Sequence, residues 1–253
     1  MDLGLADRVY LLTGASNGLG LATAEQLVAE GARVVIAARD PGRVAAAVER
    51  LGGAGSAVGL ATTLADPDTP QRLVDAAGEH FGRLDGALVS VGGPPVGTAA
   101  QVTDAQWRES FETVFLGTVR MIRTVAEALP DGGAIGLVLS SSVRVPISNL
   151  GISNGLRPGM AAVAKEMSDE YGPRGVRFVS LLPGRIMTDR NRQLFAASPD
   201  PERARTDTES TIPMRRLGDP AEFGRVAAFV LSPAASYLTG VTIPVDGGAL
   251  RGI

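Results

Sequence analysis

Seven short apolar runs separated by amphipathic stretches set the pattern of this 253-residue chain, and they leave it few ways to hide its hydrophobic surface. The runs cover 8–13, 33–38, 57–61, 87–91, 134–139, 176–181 and 241–245. They are rich in Val, Ile, Leu and Ala with little polar alternation, as in strands buried on both faces. Helical periodicity fills the gaps and predicts helices over 19–30, 41–51, 68–81, 103–129, 158–171 and 220–231, the fifth opening on Pro158. Parallel strands need long crossovers, and helices supply them. The expected fold is therefore α/β, a Rossmann-type doubly wound parallel sheet of about seven strands with helices on both faces. No linker or repeat divides the chain, so residues 1–253 are expected to form one dinucleotide-binding domain. The least regular stretch, 185–218, is too long for a neutral connector and is expected to be a lid over a small-molecule substrate.

The first apolar run passes directly into Thr13-Gly14-Ala15-Ser16-Asn17-Gly18-Leu19-Gly20, and a helix opens at about Leu19. Glycines at such a turn let backbone N–H groups approach a pyrophosphate at the helix N-terminus, where the helix dipole favours an anion. Composition removes several competing chemistries. The chain contains no cysteine and one histidine, His80, so thiolate metal sites, disulfides and two-histidine zinc sites are excluded, and no metal is expected. A formal net charge of −3 provides no basic field for nucleic acid. The opening Met1-Asp2-Leu3-Gly4-Leu5-Ala6-Asp7 has neither a cationic start nor a long apolar run, so no membrane association is expected and the cytoplasm is the expected location.

The spacing GxxxGxG after a Thr resembles the signature of the short-chain dehydrogenase/reductase family, and the resemblance spans nearly the whole chain. It continues in Gly82-Arg83-Leu84-Asp85, the Gly92-Gly93 pair, Ser140-Ser141-Ser142-Val143, Pro183-Gly184-Arg185-Ile186-Met187-Thr188, Tyr237-Leu238-Thr239-Gly240 and Val245-Asp246-Gly247-Gly248. The resemblance implies an NAD(P) cofactor and a homodimer or homotetramer built on the long central helices and the C-terminal segment. It also implies cofactor contacts from Gly14, Ser16, Asn17, Gly18, Leu19, Gly20, Thr63, Leu64, Gly92, Arg157, Pro183, Gly184, Ile186 and Thr188.

Charge at the end of the second run bears on the choice of cofactor. A carboxylate there suits the ribose hydroxyl of NAD, whereas a cation suits the 2′-phosphate of NADP. Ala38 leaves the carboxylate position empty and Arg39 offers a planar donor fork, which favours NADP(H) with NAD as second choice. Asp40 could pair with Arg39 and mask it. Where relatives carry an Asp beside the adenine, this chain has Thr63-Leu64.

Relatives reduce carbonyls or oxidise alcohols with a Ser, a Tyr and a Lys four residues beyond the Tyr, supported by an Asn. This chain has no Tyr-x-x-x-Lys: Tyr10, Tyr171 and Tyr237 are followed at the fourth place by Gly14, Gly175 and Val241, and the sole lysine is Lys165. Anchoring the family register on Lys165 and Gly175-Val176-Arg177 puts Ser153 at the Tyr place, Arg157 at the Lys place and Val114 at the Asn place. Ser142 best matches the family Ser, although its interval to Ser153 is two residues short. The candidate catalytic residues are thus Ser142, Ser153 and Arg157. A serine is a far weaker acid than a phenol and arginine stays protonated, so the usual proton relay cannot operate. Asn154-Gly155 signals a turn, which would start the helix near Arg157-Pro158 and separate Ser153 from Arg157.

Three functions stay open at this stage. The first is an NADP(H)-dependent oxidoreductase acting on a carbonyl, alcohol or similarly polarised double bond with a non-standard proton route. The second is a cofactor-binding protein without turnover, a sensor or an inactive partner subunit. The third is a non-redox lyase or isomerase on the same scaffold. Seven arginines against five acidic residues in 185–218 hint that the substrate is anionic.

Overall fold

Every apolar run becomes a strand: β1 (Val9–Thr13), β2 (Arg33–Ala38), β3 (Ala57–Ala61), β4 (Gly86–Ser90), β5 (Ala134–Val138), β6 (Arg177–Pro183) and β7 (Val241–Val245). The computed structural model describes residues 1–252, with the side chain of Arg190 and all of Ile253 outside the described residues. The strands form one sheet in the order β3-β2-β1-β4-β5-β6-β7, and each neighbouring pair runs parallel. Alternate residues feed two cores. Val9 and Leu11 of β1 pack beneath α3 (Thr69–Phe81), α5 (Gly117–Ala128) and α6 (Gly151–Tyr171). Tyr10 and Leu12 face the opposite layer of α1 (Gly18–Ala29), α2 (Pro41–Arg50) and α9 (Pro220–Leu231). Helices on both faces bury the inner strands, β1 and β5 completely, which explains their lack of polar alternation, while the edge strands β3 and β7 are only partly covered. In the second layer α1 and α9 touch backbone to backbone, since a Cβ on Gly224 would lie 2.5 Å from the Ala22 carbonyl oxygen.

Three elements depart from the sequence expectation. The helix expected over 103–129 is interrupted: α4 (Asp104–Ser110) passes through a π-helical turn, Phe111–Leu116, before α5. There the Gly117 N–H bonds the Glu112 carbonyl five residues back, while the hydroxyls of Thr113 and Thr118 donate to the carbonyls of Glu109 and Val114. The helix expected to begin near Pro158 begins instead at Gly151 and carries Pro158 in its interior. Pro158 removes the hydrogen bond that the Asn154 carbonyl would otherwise accept. Packing outweighs that loss, because Ile152 and Leu156 are buried against Val102 and Val114. Gly151 presses against a neighbouring loop so closely that a Cβ would lie 2.5 Å from the Ala99 nitrogen. Finally, 185–218 is more regular than expected. It holds α7 (Asp189–Ala196) and α8 (Pro201–Ser210), and an Ile186–Gly218 bridge ties its ends together.

The sheet opens between β1 and β4. Their register runs from Tyr10–Gly86 to Leu12–Leu88 and stops. One step further, the Thr13 hydroxyl substitutes for the ladder, donating to the Ser90 carbonyl at 2.8 Å and accepting from the Ser90 N–H at 2.9 Å. Thr13→Val preserves the shape and strips both bonds. It is expected to lower unfolding stability by about 1–2 kcal/mol, the cost of leaving part-buried peptide groups unpaired, as read by urea denaturation. An unchanged midpoint would mean that the hydroxyl closes nothing.

Candidate functional site

At the parting of β1 and β4 the crossovers change direction, and loops leaving the strands' carboxyl ends stand apart there. They enclose a cleft of about 1070 Å³ that runs across the sheet edge. Its floor is the turn after β1. Gly14 has φ of +60°, and a Cβ on it would stand 2.8 Å from the Ser90 carbonyl oxygen; a Cβ on Gly20 would meet the Gly14 oxygen at 2.5 Å. Both positions therefore require glycine. The N-cap of α1, Asn17, makes no side-chain capping bond, and the first turn holds no acidic residue. The opening N–H groups of α1 are thus left for an anion in the cleft.

Ser16, Asn17, Gly18 and Leu19 line the cleft with Gly14 and Gly20, and the wall beyond β2 and β3 adds Arg39, Arg43, Thr63 and Leu64. Asp40 does not mask Arg39. Its carboxylate caps α2 by accepting the Arg43 N–H at 2.9 Å, and both arginines face the cleft with exposed side chains. The Thr63 carbonyl accepts the Thr69 hydroxyl at 2.8 Å, which pins the loop that presents Thr63 and Leu64. Gly92 lines the opposite wall after β4.

In the half beyond β4, the early start of α6 places Ser153 and Arg157 one turn apart on the same helix. Both are buried and both reach the cleft. The Arg157 guanidinium donates to the Val138 carbonyl at 2.7 Å, so its charge is fixed against the end of β5. Ser142 lies behind this wall. Its Oγ is 3.1 Å from Ser153 Oγ and 3.5 Å from the Ser153 carbonyl oxygen, and it does not line the cleft. The serine that does line it is Ser140, whose Oγ accepts the Ser142 N–H at 3.1 Å. The sequence carried a signal for Ser140, because the interval from Ser142 to Ser153 was short by two residues. Val114, at the π turn, also lines the cleft.

Among the cofactor candidates after β6, Pro183 and Thr188 line the cleft, whereas Gly184 and Ile186 do not. Ile186 is buried in the core, and Gly184 abuts the C-terminal segment so tightly that a Cβ would meet Asp246 Cβ at 2.6 Å. None of the three tyrosines lines the cleft. Burial pushes the Tyr10 phenol up to about 12. A hydrogen bond to Glu127 raises Tyr171 to about 12, at the end of α6 where its ring packs on Phe178. Tyr237 is fully exposed. Lys165 pairs with Asp169 on the surface of α6, and His80 ends α3. Among the described residues no group of acidic or histidine side chains could hold a metal ion, and no helix is long and apolar enough to cross a membrane.

Known proteins place these features in a family. Residues 14–249 match the family model described as enoyl-(acyl carrier protein) reductase. The 3-oxoacyl-(acyl-carrier-protein) reductase FabG of Vibrio harveyi is 32% identical over 248 residues, covering 97% of this chain and 98% of the relative. The crystal structure of a short-chain dehydrogenase/reductase, glucose/ribitol dehydrogenase, from Brucella melitensis superposes with a TM-score of 0.92 at 27% identity, all of both chains being covered. L-sorbose reductase from Gluconobacter frateurii, solved with NADPH and L-sorbose, gives 0.92 at 26% identity, again over the whole of both chains. With its seven-stranded parallel sheet, its glycine turn and this extent of matching sequence, the chain belongs to the short-chain dehydrogenase/reductase family of oxidoreductases.

Proposed function

We propose that the protein is an NADP(H)-dependent oxidoreductase acting on a carbonyl, an alcohol or a similarly polarised double bond, with charge stabilisation from Ser153 and Arg157 in place of a phenol and an ammonium. The observation that carries this reading is the cleft itself, a glycine cradle at an uncapped helix N-terminus at one end and a buried serine–arginine pair at the other. A dinucleotide fits these residues. Gly14 to Gly20 would receive the pyrophosphate, Arg39 and Arg43 a 2′-phosphate, Thr63 and Leu64 the adenine, and Thr188 and Pro183 the far end. When bound, a nicotinamide supplies or accepts hydride.

The chain's own contribution is positioning and charge. Arg157 holds a permanent positive charge that no pH in the working range removes. Held by Val138, it is preorganised for oxygen-centred negative charge, the arrangement that contributes most when it needs no rearrangement. Ser153 presents a hydroxyl at the same wall and is itself held by Ser142. Ser140, at the mouth of β5, adds a second hydroxyl. These groups orient a substrate oxygen, and the proton comes from water or from the substrate.

Two measurements test the reading. Arg39→Ala is expected to weaken NADPH binding by about tenfold to a hundredfold, the range for a charge-assisted hydrogen bond, while NADH binding moves far less. Fluorescence titration of both nucleotides reads this, and an equal loss for the two would remove the 2′-phosphate assignment. Arg157→Ala is expected to lower kcat/KM by about a hundredfold in a carbonyl-reduction assay, with Arg157→Lys recovering part of it. Because Arg157 is buried, circular dichroism should accompany both variants. The absence of any phenol from the cleft favours, as a second reading, a dinucleotide-binding protein or a non-redox lyase or isomerase. NADPH binding with no oxidation or reduction across a broad carbonyl and alcohol panel would select it.

A further inference from the structure

The half of the cleft beyond β4 is walled by loops following β4, β5 and β6, and its character differs from that of the dinucleotide half. Val96 from the first loop and Leu194 from α7 are 61% and 51% exposed, and both line the cleft. Pro95, Ile147 and Leu150 line it with them. Large apolar side chains left open to water on one concave surface suit an apolar ligand. The polar lining, Ser140, Ser153 and Arg157, sits deeper at the ends of β5 and α6, so a polyol's outer hydroxyls would lose water against this apolar patch.

The wall is held in place. The Asn154 side chain clasps the Ile147 backbone at both ends, accepting its N–H and donating to its carbonyl, each at 2.9 Å. The Gly97 N–H donates to the Asn149 carbonyl at 2.8 Å and the Gly151 N–H to the Gly97 carbonyl at 2.9 Å, which joins the loops after β4 and β5.

Besides Arg157, a second cation stands on the same side. Most lid arginines are engaged within the lid or at its base: Arg192 with Asp189 at 2.8 Å, Arg203 with Asp207 at 3.8 Å, Arg205 with Glu209 at 2.9 Å and Arg216 with Glu222 at 2.6 Å, while Arg215 donates to the Ser210 carbonyl. Arg216 holds the Glu222 carboxyl down to about 2. Among the described side chains Arg185 is the exception. Its side chain lines the cleft, and among the described residues no ion pair or hydrogen bond engages it. Its backbone is fixed, the carbonyl accepting the Gly218 N–H at 3.0 Å and the preceding Gly184 wedged against Asp246. Asp189, the carboxylate four residues on that also lines the cleft, is already held by Arg192.

We propose that the substrate is an apolar carbonyl compound bearing a carboxylate, which Arg185 binds while Val96, Ile147, Leu150 and Leu194 cover its body. The inference rests on the redox reading of the cleft and names the substrate class for it. A guanidinium could instead serve a phosphate of the dinucleotide. The glycine turn and the Arg39–Arg43 pair already provide for those phosphates, which leaves Arg185 for the substrate.

The test uses benzoylpropionate, its methyl ester and fructose, with wild-type protein, Arg185→Ala and Arg185→Lys. Binding of each probe is followed by calorimetry with and without NADPH, and kcat/KM is measured alongside. The acid is expected to bind about tenfold or more tightly than the ester, as an ionic hydrogen bond allows, and that ratio should collapse in Arg185→Ala and recover in part in Arg185→Lys. Equal binding of acid and ester overturns the proposal, as does preference for fructose. It is also overturned if Arg185→Ala weakens NADPH as much as it weakens the acid, for then the arginine serves the cofactor. The two readings fail separately. Turnover of fructose with the acid ignored keeps the redox reading and removes this one, whereas Arg185-dependent binding of the acid without turnover keeps Arg185 as a carboxylate site and removes the redox reading on which its substrate role rests.

Discussion

Between β1 and β4 a threonine hydroxyl does what a peptide group does everywhere else in the sheet. By donating to and accepting from Ser90, Thr13 closes the two strands at their last point of contact and lets the chain beyond diverge. Both strands lie at the centre of the sheet, so their N–H and C=O groups must be paired or leave an unpaired polar group inside the protein. A side chain that satisfies them ends the ladder without that penalty, and the crevice begins where the ladder ends. The glycine turn after β1 and the Gly92-Gly93 loop after β4 stand at that point.

The same crowding dictates which residues can stand there. With the Ser90 carbonyl 2.8 Å from any Cβ at position 14, and the Gly14 carbonyl 2.5 Å from any Cβ at position 20, strand and helix meet at backbone distance. That approach turns the first N–H groups of α1 toward the cleft rather than toward a capping side chain. At the next helix the arrangement is reversed. Asp40 caps α2, and in doing so the one carboxylate that could neutralise Arg39 is committed elsewhere. Arg39 and Arg43 line the cleft beside Asp40, two guanidiniums to one carboxylate, which leaves this end positive.

Legibility in the sequence followed burial. The strands could be read to within about two residues, the inner ones because both faces are covered and the whole run must be apolar, the partly covered β3 and β7 because short apolar runs stand out between helical stretches. Elements whose limits depend on partners far along the chain could not. Pro158 and Asn154-Gly155 argue locally for a helix that starts late, yet Ile152, Leu156 and the contact of Gly151 with Ala99 draw two further turns into α6. No periodicity in the sequence reveals the π turn at 111–116, since one inserted residue shifts the phase without altering the composition. The stretch 185–218 read as irregular because its two helices are mostly polar and carry ion pairs at helical spacing rather than an apolar stripe. The placement of the glycine turn, Arg39, Ser153 and Arg157 along one cleft was readable from residue type and register. Choosing among three consecutive serines was not, because only the fold decides that Ser140 faces the cleft and Ser142 the interior.

Under the proposed function, a hydroxyl and a guanidinium stand where the family resemblance implies a phenol and an ammonium, which separates two tasks that the usual apparatus joins. A tyrosine beside a lysine both steadies negative charge on oxygen and delivers the proton that quenches it. Arg157 can do only the first, since its proton does not leave at any working pH, and Ser153 is too weak an acid to do the second. Steadying alone suffices for chemistry whose product oxygen either keeps its charge for a time or takes a proton from water. The remaining tyrosines could not be recruited without refolding: Tyr10 is sealed in the core, Tyr171 is bound to Glu127 across the outer helices, and Tyr237 stands in solvent. Under the proposed function, the cost of losing the acid therefore falls on the rate of proton delivery, while the electrostatic part of catalysis becomes independent of pH. That division also limits the substrates. Those whose reduced form is a weak base lose least by it, and the fixed charge of Arg157 disfavours any whose reacting group is cationic.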